Sequence, residues 1–292
     1  MVVYSISDLE KLSGVKAHTL RIWEKRYGIL KPKRTESNIR YYLDEDLRLL
    51  LNISLLNKHG LKISKIAEMC PIQLQKKVSE ITEIDPSFEG QIDALTISLI
   101  ELNEGNAVKI INKNIEEKGF KDTMLEVIYP LLDKLVLMWL SGSINAVHEK
   151  FVTHLIKRKC CAEIDALKTT RDETFFIYLP TESTDELSLL FLHYLIKSYG
   201  FQVIDAGVNV DLIDIQEALE IRKPDCIFTI LNNEVSHNSY ISYVKELCRI
   251  APSCDIYISG SEPADDLILL HDQLHFLKSY QETIEHLNSL KR

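Results

Sequence analysis

Between residues 11 and 40 the chain carries nine basic side chains, Lys11, Lys16, Arg21, Lys25, Arg26, Lys31, Lys33, Arg34 and Arg40, against two acids, Glu24 and Glu36. Guanidinium groups take guanine edges or phosphates in bidentate pairs, and ammonium groups act as point charges toward phosphate. His18, Thr19, Tyr41 and Tyr42 lie among these charges and add hydrogen-bonding groups. The chemistry of such a set is polyanion binding. A solvated basic face without a partner would carry the same charge, so the elements that hold these residues must decide between the two.

Those elements read as a winged helix-turn-helix. Ser5-Ile6-Ser7-Asp8 fits a capping box that opens a short helix with Leu9 and Leu12 on its apolar side. Gly14 supplies a tight turn, and a second helix spans residues 16–27 with Leu20 and Trp23 facing inward and Lys16, His18, Thr19, Arg21, Lys25 and Arg26 facing outward. Residues 30–42 form a polar hairpin after Pro32, with Asn38 near its turn and Arg34, Arg40, Tyr41 and Tyr42 on the hairpin. Asp44-Glu45-Asp46 start a long helix that ends at Gly60, and residues 62–69 form another.

Charge divides the chain in the same place. Residues 1–70 hold 13 Lys/Arg against 8 Asp/Glu, whereas residues 71–292 hold 21 against 35, so the overall charge of −9 conceals a basic N-terminal domain. Apolar residues at 46% and only 10 Gly and 8 Pro exclude a disordered or collagen-like chain. The longest apolar runs, such as residues 135–140, are far below the ~20 residues a membrane helix needs. With no basic-then-apolar leader at the start, a cytoplasmic protein is expected. The six cysteines contain no C-x-x-C pair, which predicts buried thiols in a reducing compartment and no metal.

The first domain closely resembles the DNA-binding domain of the MerR family of bacterial transcription regulators. The resemblance is carried by Tyr4-Ser5-Ile6, residues 12–15 (Leu-Ser-Gly-Val), residues 19–24 (Thr-Leu-Arg-Ile-Trp-Glu), residues 27–30 (Tyr-Gly-Ile-Leu), Pro32-x-Arg34, Arg40-Tyr41-Tyr42 and Gly60-Leu61-x-Ile63. It implies a recognition helix led by His18, Thr19 and Arg21 in the major groove of double-stranded DNA, with Arg40, Tyr41 and Tyr42 of the wing on phosphates. Trp23 stands where Tyr is frequent, and a core aromatic is its alternative reading.

Downstream, a connecting helix over residues 71–81 is followed by a linker to residue 86. Helical patterns over residues 88–104, 105–118, 120–141 and 143–169 predict a four-helix bundle, with Pro130 kinking the third helix. Apolar β-rich runs at 175–179, 202–206, 226–230, 255–259 and 275–278 alternate with amphipathic helices and lack polar alternation. They predict a doubly wound parallel sheet of five strands in flavodoxin-like order. The expected architecture is therefore a multidomain α and α/β chain: winged helix-turn-helix 1–70, connecting helix and linker 71–86, four-helix bundle 87–170 and Rossmann-like domain 171–292.

The bundle contains Trp139, Gly142, Ile144, Glu149 and Phe151, and the sheet region contains Pro180, residues 185–187 (Asp-Glu-Leu), Gly200-Phe201, Val203, Gly207-Val208 and Val210. On these residues, bundle and sheet together resemble the cobalamin-binding module of methionine synthase and, more closely, of the light-sensing MerR-type repressors. That resemblance implies a possible ligand cleft formed by Trp139, Glu149, Lys150, Asp185 and Ser188. It also implies a lower cobalt ligand His in the first sheet loop and a His beside the Glu of the bundle. Here Asp185 and Lys150 occupy those places, and Ser188 replaces a small Gly near the corrin tail. A carboxylate is a poor substitute for imidazole on this cobalt, so no cofactor is expected and cobalamin is disfavoured. Trp139 as plain bundle core is the alternative to a cleft residue, and His148 and His193 are expected to be hydrogen-bonded histidines of no special role.

The expected function is a MerR-type transcription regulator without catalysis, acting as a homodimer or higher homo-oligomer on double-stranded DNA, with RNA polymerase a further candidate partner. Its C-terminal module would control oligomerisation or sense a ligand. The rival readings are a cobalamin-dependent regulator, or a corrinoid carrier or methyltransferase component that has acquired a DNA-binding domain. A scaffold whose sheet domain binds only protein is the third.

Overall fold

The computed structural model describes residues 4–34, 40–58, 60–84, 88–140, 144–181, 185–231, 237–260 and 272–290. The chain divides into two compact units, residues 1–155 and 156–292. In the first unit α1 (Ile6–Ser13) and α2 (Ala17–Tyr27) precede a two-stranded antiparallel pair, β1 (Lys33–Arg34) and β2 (Arg40–Tyr41). The turn of that hairpin, with Asn38, lies outside the described residues. There follow α3 (Asp44–Lys58), the short α4 (Ile63–Ile66) and α5 (Pro71–Ile84). α5 continues to Ile84, three residues beyond the expected helix end at residue 81, and the rest of the expected linker, residues 85 and 86, lies outside the described residues.

The helix starts and stops follow local chemistry. Ser5 and Asp8 form the capping box of α1, and Gly14 closes it in left-handed backbone at φ 71°. The start of α2 is held by a side chain from the preceding helix, since the Ala17 amide donates to Glu10 at 3.1 Å. Leu20 and Trp23 are buried, which settles Trp23 as a core aromatic.

The bundle helices are α6 (Phe88–Ile100), α7 (Glu104–Lys118), a continuous helix built from α8 (Phe120–Thr123), a π-helical turn (Met124–Ile128) and α9 (Tyr129–Leu140), and α10 (Ala146–Ala166). Pro130 has no N–H for the Glu126 carbonyl, and the widened turn sits directly before it. The expected kink takes this form. α10 runs across the boundary between the two units, so its C-terminal part clusters with the sheet.

The second unit contains β3 (Thr174–Tyr178), α11 (Glu186–Ser198), β4 (Gln202–Asp205), α12 (Leu212–Ile221), β5 (Cys226–Leu231), α13 (His237–Ile250), β6 (Asp255–Gly260), β7 (Leu274–Leu277) and α14 (Tyr280–Ser289). The strands are parallel in the order β4-β3-β5-β6-β7, the flavodoxin-like order. Every residue of β3 and β5 is buried, as expected for strands covered on both faces, whereas edge strand β4 is only partly so. Cys160, Cys226, Cys248 and Cys254 are buried, and burial raises the Cys160 and Cys226 thiols to about 12. Cys70 and Cys161 are exposed, contrary to expectation; each falls on the solvent side of its local structure. Among the described residues no helix is long and apolar enough to cross a membrane, and no group of three or more His, Cys, Asp or Glu could hold a metal ion.

Candidate functional site

The outward face of α2 presents His18, Arg21, Lys25 and Arg26, all exposed. They recur at helical spacing, with burial of Leu20 and Trp23 on the opposite side fixing which face is presented. Ile22, 52% exposed, belongs to this face and was missed by charge-based reasoning. An exposed branched apolar side chain beside Arg21 suits a thymine methyl group. Thr19 is partly exposed and its hydroxyl lies 3.3 Å from His18 Nε2. Lys16 is turned toward Glu10, 3.2 Å away, and the Arg26 guanidinium lies over the Tyr27 ring at 5.5 Å. The Ala17 amide and Lys16 beside Glu10 hold its carboxyl below the usual range.

Glu24, the one acid of this helix, joins it to the wing. Its carboxylate accepts from Arg40 Nε at 3.2 Å and from the Tyr42 hydroxyl at 3.4 Å. Nothing in the local sequence marks it, because both partners lie beyond the hairpin turn. Arg34 and Arg40 are exposed and Tyr41 half-buried, all on the short hairpin.

Tyr42 corrects an expectation. It is fully buried, its backbone pairs with Tyr4 through two hydrogen bonds of 2.9 Å, and burial beside the Glu24 carboxylate pushes its hydroxyl up to about 12. The side chain therefore cannot reach a phosphate; it fixes the wing against the first helices instead.

The residues of the expected ligand cleft are distributed over both units. Trp139 on α9 is 50% exposed, so it is not plain bundle core. Glu149 and Lys150 are exposed on α10. In the second unit, Asp185 is the N-cap of α11: its carboxylate accepts the Ser188 amide at 3.2 Å and the Ser188 hydroxyl at 2.6 Å. The loops at the C-terminal edge of the sheet are stitched to each other, with Leu179 N–H donating to the Gly207 carbonyl at 2.8 Å, Val210 N–H to Leu179 at 3.1 Å, and the Thr181 hydroxyl bonded to Asp211.

The two histidines are occupied. His148 is buried with Nε2 3.1 Å from the Ile100 carbonyl, which can only accept, so that nitrogen carries a proton. Its Nδ1 faces Asn145. His193 pairs through Nδ1 with Asp205 at 2.9 Å.

Residues 4–72 match the MerR HTH family regulatory protein model, so the chain carries a MerR-type helix-turn-helix domain at its N-terminus. Over most of its length the chain is homologous to two transcriptional repressors of Myxococcus xanthus. It is 23% identical to the HTH-type transcriptional repressor CarH over 230 residues, covering 77% of each chain. It is 20% identical to CarA over 258 residues, covering 87% of this chain and 85% of that protein. Among solved structures, the Methanosarcina barkeri monomethylamine corrinoid protein is similar with a TM-score of 0.49 and 10% identity, covering 70% of this chain and all of that one.

Proposed function

We propose that this chain is a cytoplasmic, non-enzymatic transcription regulator that binds specific double-stranded DNA as a homodimer or higher homo-oligomer. The observation that carries this reading is the outward face of α2, where His18, Arg21, Ile22, Lys25 and Arg26 stand together on a helix anchored to the wing through Glu24. A rigid helix presenting guanidinium groups reads base edges in the major groove, and basic wing residues hold the phosphates on either side. Thr19 contributes a hydroxyl on the same helix, while Lys16, Arg34, Arg40 and Tyr41 supply backbone contacts. CarH and CarA are named as repressors, which favours repression, and RNA polymerase is then the machinery regulated.

The C-terminal region takes the role of controlling assembly or sensing a ligand. Base-off cobalamin does not fit the residues present. The side chain at the lower-ligand position is a carboxylate, a hard oxygen donor, and both of its oxygens are used by Ser188 at the start of α11. Occupation by a corrin in that manner would uncap the helix and would leave cobalt with an unsuitable donor.

Genome-wide footprinting of the full-length protein tests the function. A recurrent two-half-site operator with an affinity that falls steeply in salt is expected. Equal occupancy of all sequences, or none, would refute sequence-specific regulation.

A further inference from the structure

Within residues 1–155, the winged helix meets the bundle across α3 and α6, and the seam holds a half-open cavity of about 280 Å³. Leu12 at the end of α1, Leu51 and Leu55 of α3, and Ile97 of α6 give it an apolar wall. One corner is charged. There Asp93 of α6 accepts from Lys58 of α3 at 3.0 Å and from Lys134 of α9 at 2.7 Å, so three helices converge on one carboxylate. The hydroxyls that line the cavity are already engaged, Ser54 donating to the Ser13 carbonyl at 3.0 Å and Thr96 to the Ile92 carbonyl at 2.7 Å.

We propose that this cavity is a binding site for a small amphipathic carboxylic acid, taken as its anion. An apolar cleft with a few convergent polar groups is the usual form of a small-molecule site, and this half-open one lies just below the roughly 300–1,000 Å³ range, which suits a small ligand. Its apolar wall selects a hydrocarbon body. The charged corner selects the sign of the head group: an ammonium has three protons, and Lys134 gives one of them to Asp93, so it can donate to a second acceptor. A cationic head group would instead meet Lys58 and Lys134 beside a carboxylate that already serves both. The two lysines hold the Asp93 carboxyl below the usual range against the burial that would raise it, so it faces the cavity as an anion already paired with ammonium groups.

The site touches both the helix that carries the winged domain and the bundle helix against which it docks. A ligand there is therefore linked to the arrangement of α3 on α6, which gives the chain a means of coupling a metabolite to DNA binding. This goes beyond the DNA-binding reading and is tested without DNA, so the two can fail separately.

The experiment titrates octanoate into the full-length protein by calorimetry and methyl NMR, with octylamine and 1-octanol as chain-matched controls. Octanoate is expected to bind at one site per chain and to shift the methyl signals of Leu51, Leu55 and Ile97. Loss of a charge-assisted hydrogen bond should make the amine and the alcohol weaker by about tenfold or more, and Lys134→Met should weaken octanoate to the same degree. Ile97→Trp, which fills the cavity from its apolar side, should abolish binding even if Lys134→Met proves poorly folded. No methyl shifts up to roughly 10 mM octanoate, well above a millimolar dissociation constant, would overturn the proposal. So would equal affinity for the three compounds, or undiminished binding in the Ile97→Trp protein.

Discussion

Asp185 and Ser188 face each other across the first turn of α11, the carboxylate accepting both the amide and the hydroxyl of the serine at 3.2 and 2.6 Å. An acidic residue at this position serves the helix, satisfying a free amide and placing negative charge at the positive end of the helix dipole. Asp185→Ala should therefore lower unfolding free energy by about 1 kcal/mol, within the roughly 0.5–2 kcal/mol seen for lost N-caps, and Asp185→Asn should cost much less. Denaturant unfolding followed by circular dichroism checks this; equal losses in both variants would contradict the capping role.

The same geometry predicts the response to cobalamin. Adenosylcobalamin added to the protein should show no change to the base-off absorbance spectrum, in the dark or after illumination, and DNA binding should be unchanged. The double variant Asp185→His, Lys150→His should bind more tightly than the wild type. Tight stoichiometric binding by the unmodified chain would show that these two residues do not exclude the corrin.

On the DNA side, Arg21→Ala should weaken operator binding by about 1–3 kcal/mol and relax base preference at one position per half-site. Arg40→Ala should weaken all sequences alike and flatten the dependence on salt, because a phosphate contact releases a counterion without reading a base. Fluorescence anisotropy over a series of salt concentrations separates the two patterns; unchanged binding in both variants would reject the docking geometry.

Glu24 ties helix to wing, so its removal should be felt in both. Glu24→Ala leaves the buried Tyr42 hydroxyl without its acceptor, at a cost of about 1–3 kcal/mol, whereas Tyr42→Phe removes only the donor, leaves the Glu24 carboxylate its Arg40 partner, and costs about 0.5–1.5 kcal/mol. Thermal unfolding of the two variants gives the order. A more stable Glu24→Ala protein would mean that the acid strains the wing rather than positioning it.

Asp93 predicts an acid limb to stability. Its carboxyl is held below the ordinary value of 3.8 in the folded chain, where burial alone would raise it, because the charges and hydrogen bonds of Lys134 and Lys58 together outweigh that burial. A depressed folded pKa means that the contribution is fully present above about pH 4–5 and is lost as pH falls through the folded pKa. Asp93→Asn should be less stable at neutral pH and should lose part of the decline in acid. Parallel slopes for the two proteins between about pH 5 and 2 would exclude a stabilising role for the cluster.

Much of this architecture was legible in the order of residues. Apolar β-rich runs placed the sheet strands within one residue of β3 to β7, and most firmly β3 and β5, because a strand buried on both faces needs a nearly continuous apolar segment. Ser5 and Asp8 announced the first helix, because a capping box is completed within four residues. The outward face of α2 was likewise readable from the spacing of Leu20 and Trp23. What the tertiary structure decided were the partners. An aromatic residue at the end of a basic hairpin can face phosphate or core, and for Tyr42 the choice was made by pairing with Tyr4, at the far end of the domain. Glu24 looked like a stray acid until folding brought Arg40 and Tyr42 to it, and Asp93 acquired its role from two lysines on other helices. Periodicity and caps depend on neighbours a few residues away, whereas burial of a side chain and the sign of the charge beside it depend on groups that only the packed chain brings into contact.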